Sequence, residues 1–126
     1  MKSHKKVVCI NSLAEPATEN LNNILEHHGF EVIHTRHTEI DVHTVCRETP
    51  DVVLLDLSNC HPSVWEMYHK IRESMLTCNI PVILIAAKAT CIEDLQRLYA
   101  ANAAAYLIKP IQPQELLFSI EHTLLN

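Results

Sequence analysis

Five short apolar runs punctuate the chain: residues 7–10, Val32-Ile33, 52–55, 82–85 and 105–108. Runs this short and continuous, rich in Val and Ile, are the mark of strands covered on both faces. The weakest, Val32-Ile33, is assigned to a sheet edge. Between the runs the apolar period becomes helical. In residues 16–28, Leu21, Ile24, Leu25 and His28 recur at i, i+3, i+4 and i+7, and Gly29 then ends the helix in the left-handed conformation, with Phe30 placed to pack back on the last turn. Residues 39–48 form a weaker helix with Val42, Val45 and Cys46 inward, stopped before Pro50. Residues 63–76 place Val64, Met67, Tyr68, Ile71 and Met75 on one face, and residues 91–101 do the same with Ile92, Leu95, Leu98 and Tyr99. The last helix, 113–124, carries Leu116, Leu117, Ile120 and Leu124, with Pro113 in its tolerated first turn.

Five strands alternating with five helices imply right-handed crossovers and an α/β fold, a parallel sheet with helices on both faces. No Gly/Ser linker, low-complexity tract or repeat divides residues 1–126, so the chain reads as a single domain. Function in such sheets collects at the carboxyl ends of the strands. The places to look are therefore residues 11–15, 56–61, 86–90 and 109–112.

Composition narrows the chemistry. A net charge of −5 with ten Lys and Arg, scattered apart from Lys2, Lys5 and Lys6, argues against a nucleic-acid-binding surface. No apolar run approaches the roughly 18 residues that span a bilayer, and the stretch after the basic start is too short for a signal peptide, so a cytoplasmic location with no membrane contact is expected. Five cysteines without a CxxC pair suit reduced thiols better than a disulfide framework.

Two crevice residues stand out. Val52-Val53-Leu54-Leu55-Asp56 delivers a carboxylate after four apolar residues, and Tyr106-Leu107-Ile108-Lys109 delivers an ammonium before Pro110. The pair is expected to meet as ions at the top of the sheet. Asp56 alone reads equally as a helix cap or turn former.

The segments PDVVLLDL, SVWEMYHKIRE, IPVILIAA and AAAYLIKP, in this order and at these spacings, resemble the receiver domain of bacterial response regulators over essentially the whole chain. The resemblance implies a flavodoxin-like, doubly wound five-stranded parallel sheet of order 2-1-3-4-5 with five helices. It also implies that Asp56 sits at the phosphoacceptor position, Lys109 at the lysine that contacts the phosphoryl group, and Tyr106 at the switch aromatic. Receivers accept a phosphoryl group from a histidine kinase or phosphotransfer protein, assisted by Mg²⁺ on an acidic pair after the first strand. They are not enzymes in their own right, and they commonly dimerise or bind downstream effectors through the face of the fourth helix, fifth strand and fifth helix.

The family pattern breaks at three places. Asn11 and Ser12, or Ser12 and Leu13, stand where the acidic pair belongs, which leaves Asp56 alone with Lys109 offsetting its charge. Mg²⁺ is a hard cation held through carboxylates, so weak or absent Mg²⁺ binding and no other cofactor are expected. Phosphoryl transfer relies on metal and cationic clamps, so little or no phosphorylation follows, as in a degenerate pseudo-receiver. Glu15 in the same loop is a substitute ligand on one reading and a capping-box residue of Ser12-Leu13-Ala14-Glu15 on the other. Second, Ala86 replaces the Ser or Thr whose hydroxyl would couple Asp56 to Tyr106, and Thr90 lies too far along the loop to serve. Third, Val64 and Asn102 replace family glycines, and Pro62 falls two residues late, so the 57–62 loop is expected to be reshaped.

Other chemistry is thinner. His34 and His37 diverge, while His43 with Cys46 and the Cys60-His61 pair stop short of a four-ligand set. A flavodoxin-like ligand or redox site would need a phosphate loop, and Asn11-Ser12-Leu13-Ala14-Glu15-Pro16 is a poor one. On the last helix the core stripe leaves Phe118 and Leu125 on the far side near His122, which marks Phe118 as a candidate partner contact.

Overall fold

The computed structural model describes residues 5–11, 16–36, 41–57, 62–86, 100, 103–109 and 111–125. Its elements run β1 (Lys6–Asn11), α1 (Pro16–His27), β2 (Glu31–Arg36), α2 (Val42–Glu48), β3 (Val52–Asp56), α3 (Pro62–Glu73), β4 (Val82–Ala86), β5 (Ala105–Ile108) and α4 (Pro113–Leu125). The sheet is parallel throughout, in the order β2-β1-β3-β4-β5, so the Val32-Ile33 run does lie at an edge. Four helices occur among the described residues, where the sequence pattern predicts five; the one predicted over 91–101 falls, apart from residue 100, outside them.

Strand alternation sends side chains to two separate cores. Val8, Ile10, Val53, Leu55, Val82, Leu84 and Ala86 pack with Val45 of α2 and with Trp65, Met67, Tyr68 and Ile71 of α3. Val7, Cys9, Val52, Leu54, Ile83, Ile85 and Leu107 pack with Leu25 of α1 and with Leu116 and Ile120 of α4. Because β3 and β4 are buried at every position, an unbroken apolar run rather than an alternating one is what the sequence must supply there.

Local signals fix the ends of the elements. Gly29 takes φ +88°; its N–H donates to Glu26 O at 3.1 Å and that of Phe30 to Leu25 O at 3.0 Å, the paired bonds of a Schellman stop. α2 starts at Val42 rather than 39, because Asp41 Oδ1 accepts from Thr44 N at 2.9 Å and from Thr44 Oγ1 at 3.0 Å as an N-cap. At the other end of α2 Thr49 adopts φ 48°, ψ 53°, a left-handed conformation that is uncommon for a β-branched residue.

Three positions depart from the helical periodicity. His28 is exposed, since α1 stops at His27 and its Nδ1 lies 3.2 Å from Ile24 O. Met75 is 93% exposed, because α3 ends at Glu73 and the chain turns. That turn is pinned from inside by Thr77, whose Oγ1 donates to Ile71 O at 2.6 Å in a fully buried site. Trp65 is buried instead, edge-on to Tyr68 at 6.1 Å, on the flank of the inward stripe. At the amino end of the sheet Lys6 ties three acidic residues: its N–H donates to Asp51 Oδ2 at 2.7 Å, and its Nζ lies 3.6 Å from Glu48 and 4.0 Å from Glu31. No helix among the described residues is long and apolar enough to cross a membrane.

Candidate functional site

The carboxyl end of β3 sits between β1 and β4, two strands that are themselves central, so a residue there is walled on both sides. Asp56 occupies that end and is buried, in register with Ile85. By alternation it shares the face of Val52 and Leu54, toward α1 and α4. Lys109 follows β5 with the parity of Ala105 and Leu107, which places it on the same face. Its backbone N–H donates to Ala86 O at 2.9 Å, extending the β4–β5 ladder by one bond. Its Nζ reaches across the end of β4 to Asp56 Oδ2 at 2.9 Å, with 20% of the Lys109 side chain exposed against 10% of that of Asp56. Asp56 and Lys109 are thus brought together, 53 residues apart in sequence.

A third group lies beneath them. Cys9 on β1 pairs with Leu54, two residues before Asp56, so the thiol and the carboxylate share a face on neighbouring strands. Burial, reinforced by the negative charge of Asp56, pushes the Cys9 thiol up to about 12, and it stays protonated. Sequence reading placed Cys9 only among the free cysteines. Setting Val7-Val8-Cys9-Ile10-Asn11 against Val52-Val53-Leu54-Leu55-Asp56 with strand alternation is the signal that finds it.

The switch positions lie on the opposite side of the sheet. Ala86 belongs to the core under α2 and α3, and the parity of Tyr106, out of step with Ala105 and Leu107, turns it to that same side. β4 and β5 pair Leu84 with Tyr106 and Ala86 with Ile108, and Tyr106 is 39% exposed. Ala86 supplies a methyl group where a hydroxyl would have to reach round the strand end toward Asp56.

For a divalent cation the donor set is short. Asn11, the last residue of β1 and in register with Arg36, puts an uncharged residue at the neighbouring strand end. Asp56 is the carboxylate at hand, and it already holds an ammonium. Among the described residues no three His, Cys, Asp or Glu side chains converge on a metal-sized point. At this strand end, among the described residues, Asp56 is the one carboxylate offered to a hard octahedral cation, which binds through one or two carboxylates and waters. Ser12, Glu15, Cys60 and Thr90 lie outside the described residues, as does Pro110. On α4, Phe118 is 69% exposed and stacks on His122, ring centroids 5.7 Å apart and planes 11° from parallel.

A family model for the response regulator receiver domain matches residues 14–121. The phosphate regulon transcriptional regulatory protein PhoB of Pseudomonas aeruginosa is 28% identical over 119 residues, which cover 94% of this chain and 52% of that protein. The chain therefore spans about half the length of that relative. Protein PilH of the same organism is 27% identical over 106 residues, covering 82% of this chain and 85% of PilH. Among solved structures, a response regulator from Desulfuromonas acetoxidans superposes with a TM-score of 0.78 at 20% identity, covering 95% and 96% of the two chains. The chemotaxis response regulator CheY4 of Vibrio cholerae gives 0.73 at 19%, covering 96% and 99%. At these identities the structural matches show the fold.

Proposed function

Given that the chain belongs to the response regulator receiver domain family of two-component systems, we propose that it is a degenerate member that signals through protein–protein contact, with little or no Mg²⁺-dependent phosphorylation. The observation that carries this reading is the state of Asp56: a buried carboxylate paired with Lys109 at 2.9 Å, beside a first strand that ends in Asn11. A phosphoryl group on Asp56 would bring a charge of about −1.5 to −2 beside a single ammonium. Its developing charge in transfer would lack the cationic clamp on which such chemistry depends. Ala86 removes the hydroxyl link toward Tyr106, so a modified Asp56 would have no side-chain route to that ring.

On this reading the domain is not an enzyme and carries no resident cofactor, and it works in the cytoplasm. A histidine kinase, a phosphotransfer protein or a downstream effector sets its state by binding, with Phe118 on the contact face.

The second reading, a working phosphoacceptor, is favoured by the survival of Asp56 and Lys109 in contact. There an Asp56 oxygen would attack the donor phosphorus while the P–N bond of a phosphohistidine, or the P–O bond of an acyl phosphate, breaks with its electron pair leaving on the donor, and Glu15 would help to hold Mg²⁺. Incubation with acetyl phosphate, with and without Mg²⁺, followed by intact mass, separates the two. The degenerate reading expects an unmodified mass in both conditions. Stoichiometric, Mg²⁺-dependent addition of one phosphoryl group, lost in Asp56→Asn, overturns it.

A further inference from the structure

The two edges of the sheet are finished differently. β5 is four residues long and is followed in sequence by Lys109 and Pro110. β2 has six residues and pairs one-to-one with β1, from Lys6 with Glu31 to Asn11 with Arg36, without a bulge. It contains neither Lys nor Pro. Short length, bulges, lysine and proline are the usual guards of an edge strand, and β2 has none of them. Val32 and Ile33 are half-buried, packed from this edge onto the two cores.

The phase of the ladder shows which backbone groups this edge presents. The Glu31 N–H donates to Lys5 O at 2.8 Å, while Lys6 O accepts from the Asp51 N–H on the other side of β1. Successive residues of a strand turn their N–H and C=O to opposite sides, so Glu31, Ile33 and Thr35 address β1. Val32 and His34 therefore turn theirs outward, where no described strand pairs with them.

We propose that β2 pairs antiparallel with the β2 of a second copy of this chain, about a two-fold axis through Ile33, so that the two sheets run on as one. A two-fold normal to the sheet keeps each face on its own side, and an axis at Ile33 sets Val32 opposite His34 of the other copy. These are the residues with outward groups, and each such pair exchanges both its N–H···O bonds. Ile33 then meets Ile33 at the closer, non-hydrogen-bonded spacing, on the side of the core under α2 and α3. Charge agrees with the antiparallel sense. β2 begins at Glu31 and ends at Arg36, so the acidic end of each strand lies beside the basic end of the other, with Glu31 opposite Thr35 rather than another acid. Residues 37–40 lie outside the described residues, and the match of backbone groups does not involve them. A strand from an unrelated protein would satisfy the same backbone groups, but β2 itself supplies the match at Ile33 and the opposed polarity of Glu31 and Arg36. β1 stands between β2 and β3, so the contact does not involve Asp56 and holds whatever the fate of that carboxylate.

The test combines sedimentation of the full chain with amide hydrogen exchange of the ¹⁵N-labelled protein. The expected result is a dimer that populates as the concentration rises toward about 100 μM. Exchange at the Val32 and His34 amides should slow by about tenfold or more as it forms, while Ile33 and Thr35, already bonded to β1, change less. His34→Pro removes an outward N–H and no bond of the β1 ladder, and His34→Lys sets a charge on the edge; both should weaken the dimer by about tenfold or more. His34→Lys should also keep the parent melting temperature. Under oxidation the Ile33→Cys variant should crosslink, since its new thiols sit on Cα atoms about 4.5 Å apart; in His34→Cys they stand about 8 Å apart, beyond disulfide reach. The parent controls for the native cysteines. A chain monomeric at about 1 mM overturns the proposal, as does a His34→Cys variant that crosslinks as fast as Ile33→Cys. So does a dimer that Phe118→Ser dissociates and His34→Pro does not, or protection of the two amides gained only from an added extended Val/Thr peptide. Asp56→Asn should dimerise as the parent does, so the outcome stands apart from the phosphorylation test.

Discussion

Lys109→Met should destabilise the domain by more than Asp56→Asn, and the double variant should recover most of the difference. At 2.9 Å the two charges attract by about 6 kcal/mol at an effective dielectric of roughly 20, but desolvation of both groups offsets most of that, so the net worth of the pair is small. Breaking the pair is a separate matter. Without Lys109 the Asp56 carboxylate stays buried, with the neutral Cys9 thiol below it and Ile85 beside it. Breaking a fully buried pair costs about 3–5 kcal/mol; a site at the mouth of a crevice admits water, so a cost of about 2–3 kcal/mol is expected. Removing the carboxylate instead leaves an ammonium on a flexible stem, already one-fifth exposed, that can turn outward into solvent for about 1 kcal/mol or less. For a domain of 126 residues 1 kcal/mol corresponds to about 4 °C, so Lys109→Met should lower the melting temperature by about 8–12 °C and Asp56→Asn by about 4 °C at most. Calorimetry or urea denaturation of the parent, both single variants and the double variant closes the cycle. Equal losses in the two single variants, or a double variant whose loss is the sum of the two, would refute the reasoning.

Two further predictions follow from buried chemistry and backbone shape. The Cys9 thiol is pushed from 9.0 to about 12 in the folded state, so at pH 9 and above the unfolded chain releases a proton that the folded chain keeps. That contribution to stability is complete below pH 9 and falls by about 1.4 kcal/mol per unit between pH 9 and 12. Unfolding free energies of the parent and of Cys9→Ala, from urea denaturation at pH 8 and pH 10, should therefore converge by about 1.3 kcal/mol, and parallel pH profiles would dismiss the assignment. Gly29 and Thr49 share the left-handed conformation with opposite suitability, at φ 88° and φ 48°. A Cβ at Gly29 meets nothing within 4 Å, so Gly29→Ala should cost about 1–2 kcal/mol through backbone strain alone. Thr49→Gly should gain up to about 1 kcal/mol, and thermal melts showing the same sign for both variants would contradict this.

Much of this architecture was legible because the central strands are covered on both faces. Such strands must be continuous apolar runs, and the 52–55 and 82–85 runs are the two strands buried at every position. Asp56 and Lys109 were legible for the same reason, since a charge ending an apolar strand has only the crevice to enter. Helix ends were harder, because one side-chain bond decides them. Asp41 starts α2 three residues late by capping Thr44, and the Thr77 hydroxyl turns the chain after α3 so that Met75 leaves the core. The nearness of Cys9 to Asp56 depends on β1 and β3 being neighbours. A run of apolar residues does not encode that adjacency, although the resemblance to receivers implied it.

One indole serves the whole chain, and its position gives the domain a built-in optical label. Trp65 lies near the start of α3, the helix that follows Asp56, buried against Tyr68 and with the imidazole of His69 at 6.4 Å. Emission excited at the red edge therefore originates in the layer beneath α2 and α3. The exposed Phe118 of α4 lies beyond the opposite face of the sheet. Light emitted by this protein thus reports on one layer alone, and a binding event on α4 that alters it has been transmitted through the sheet.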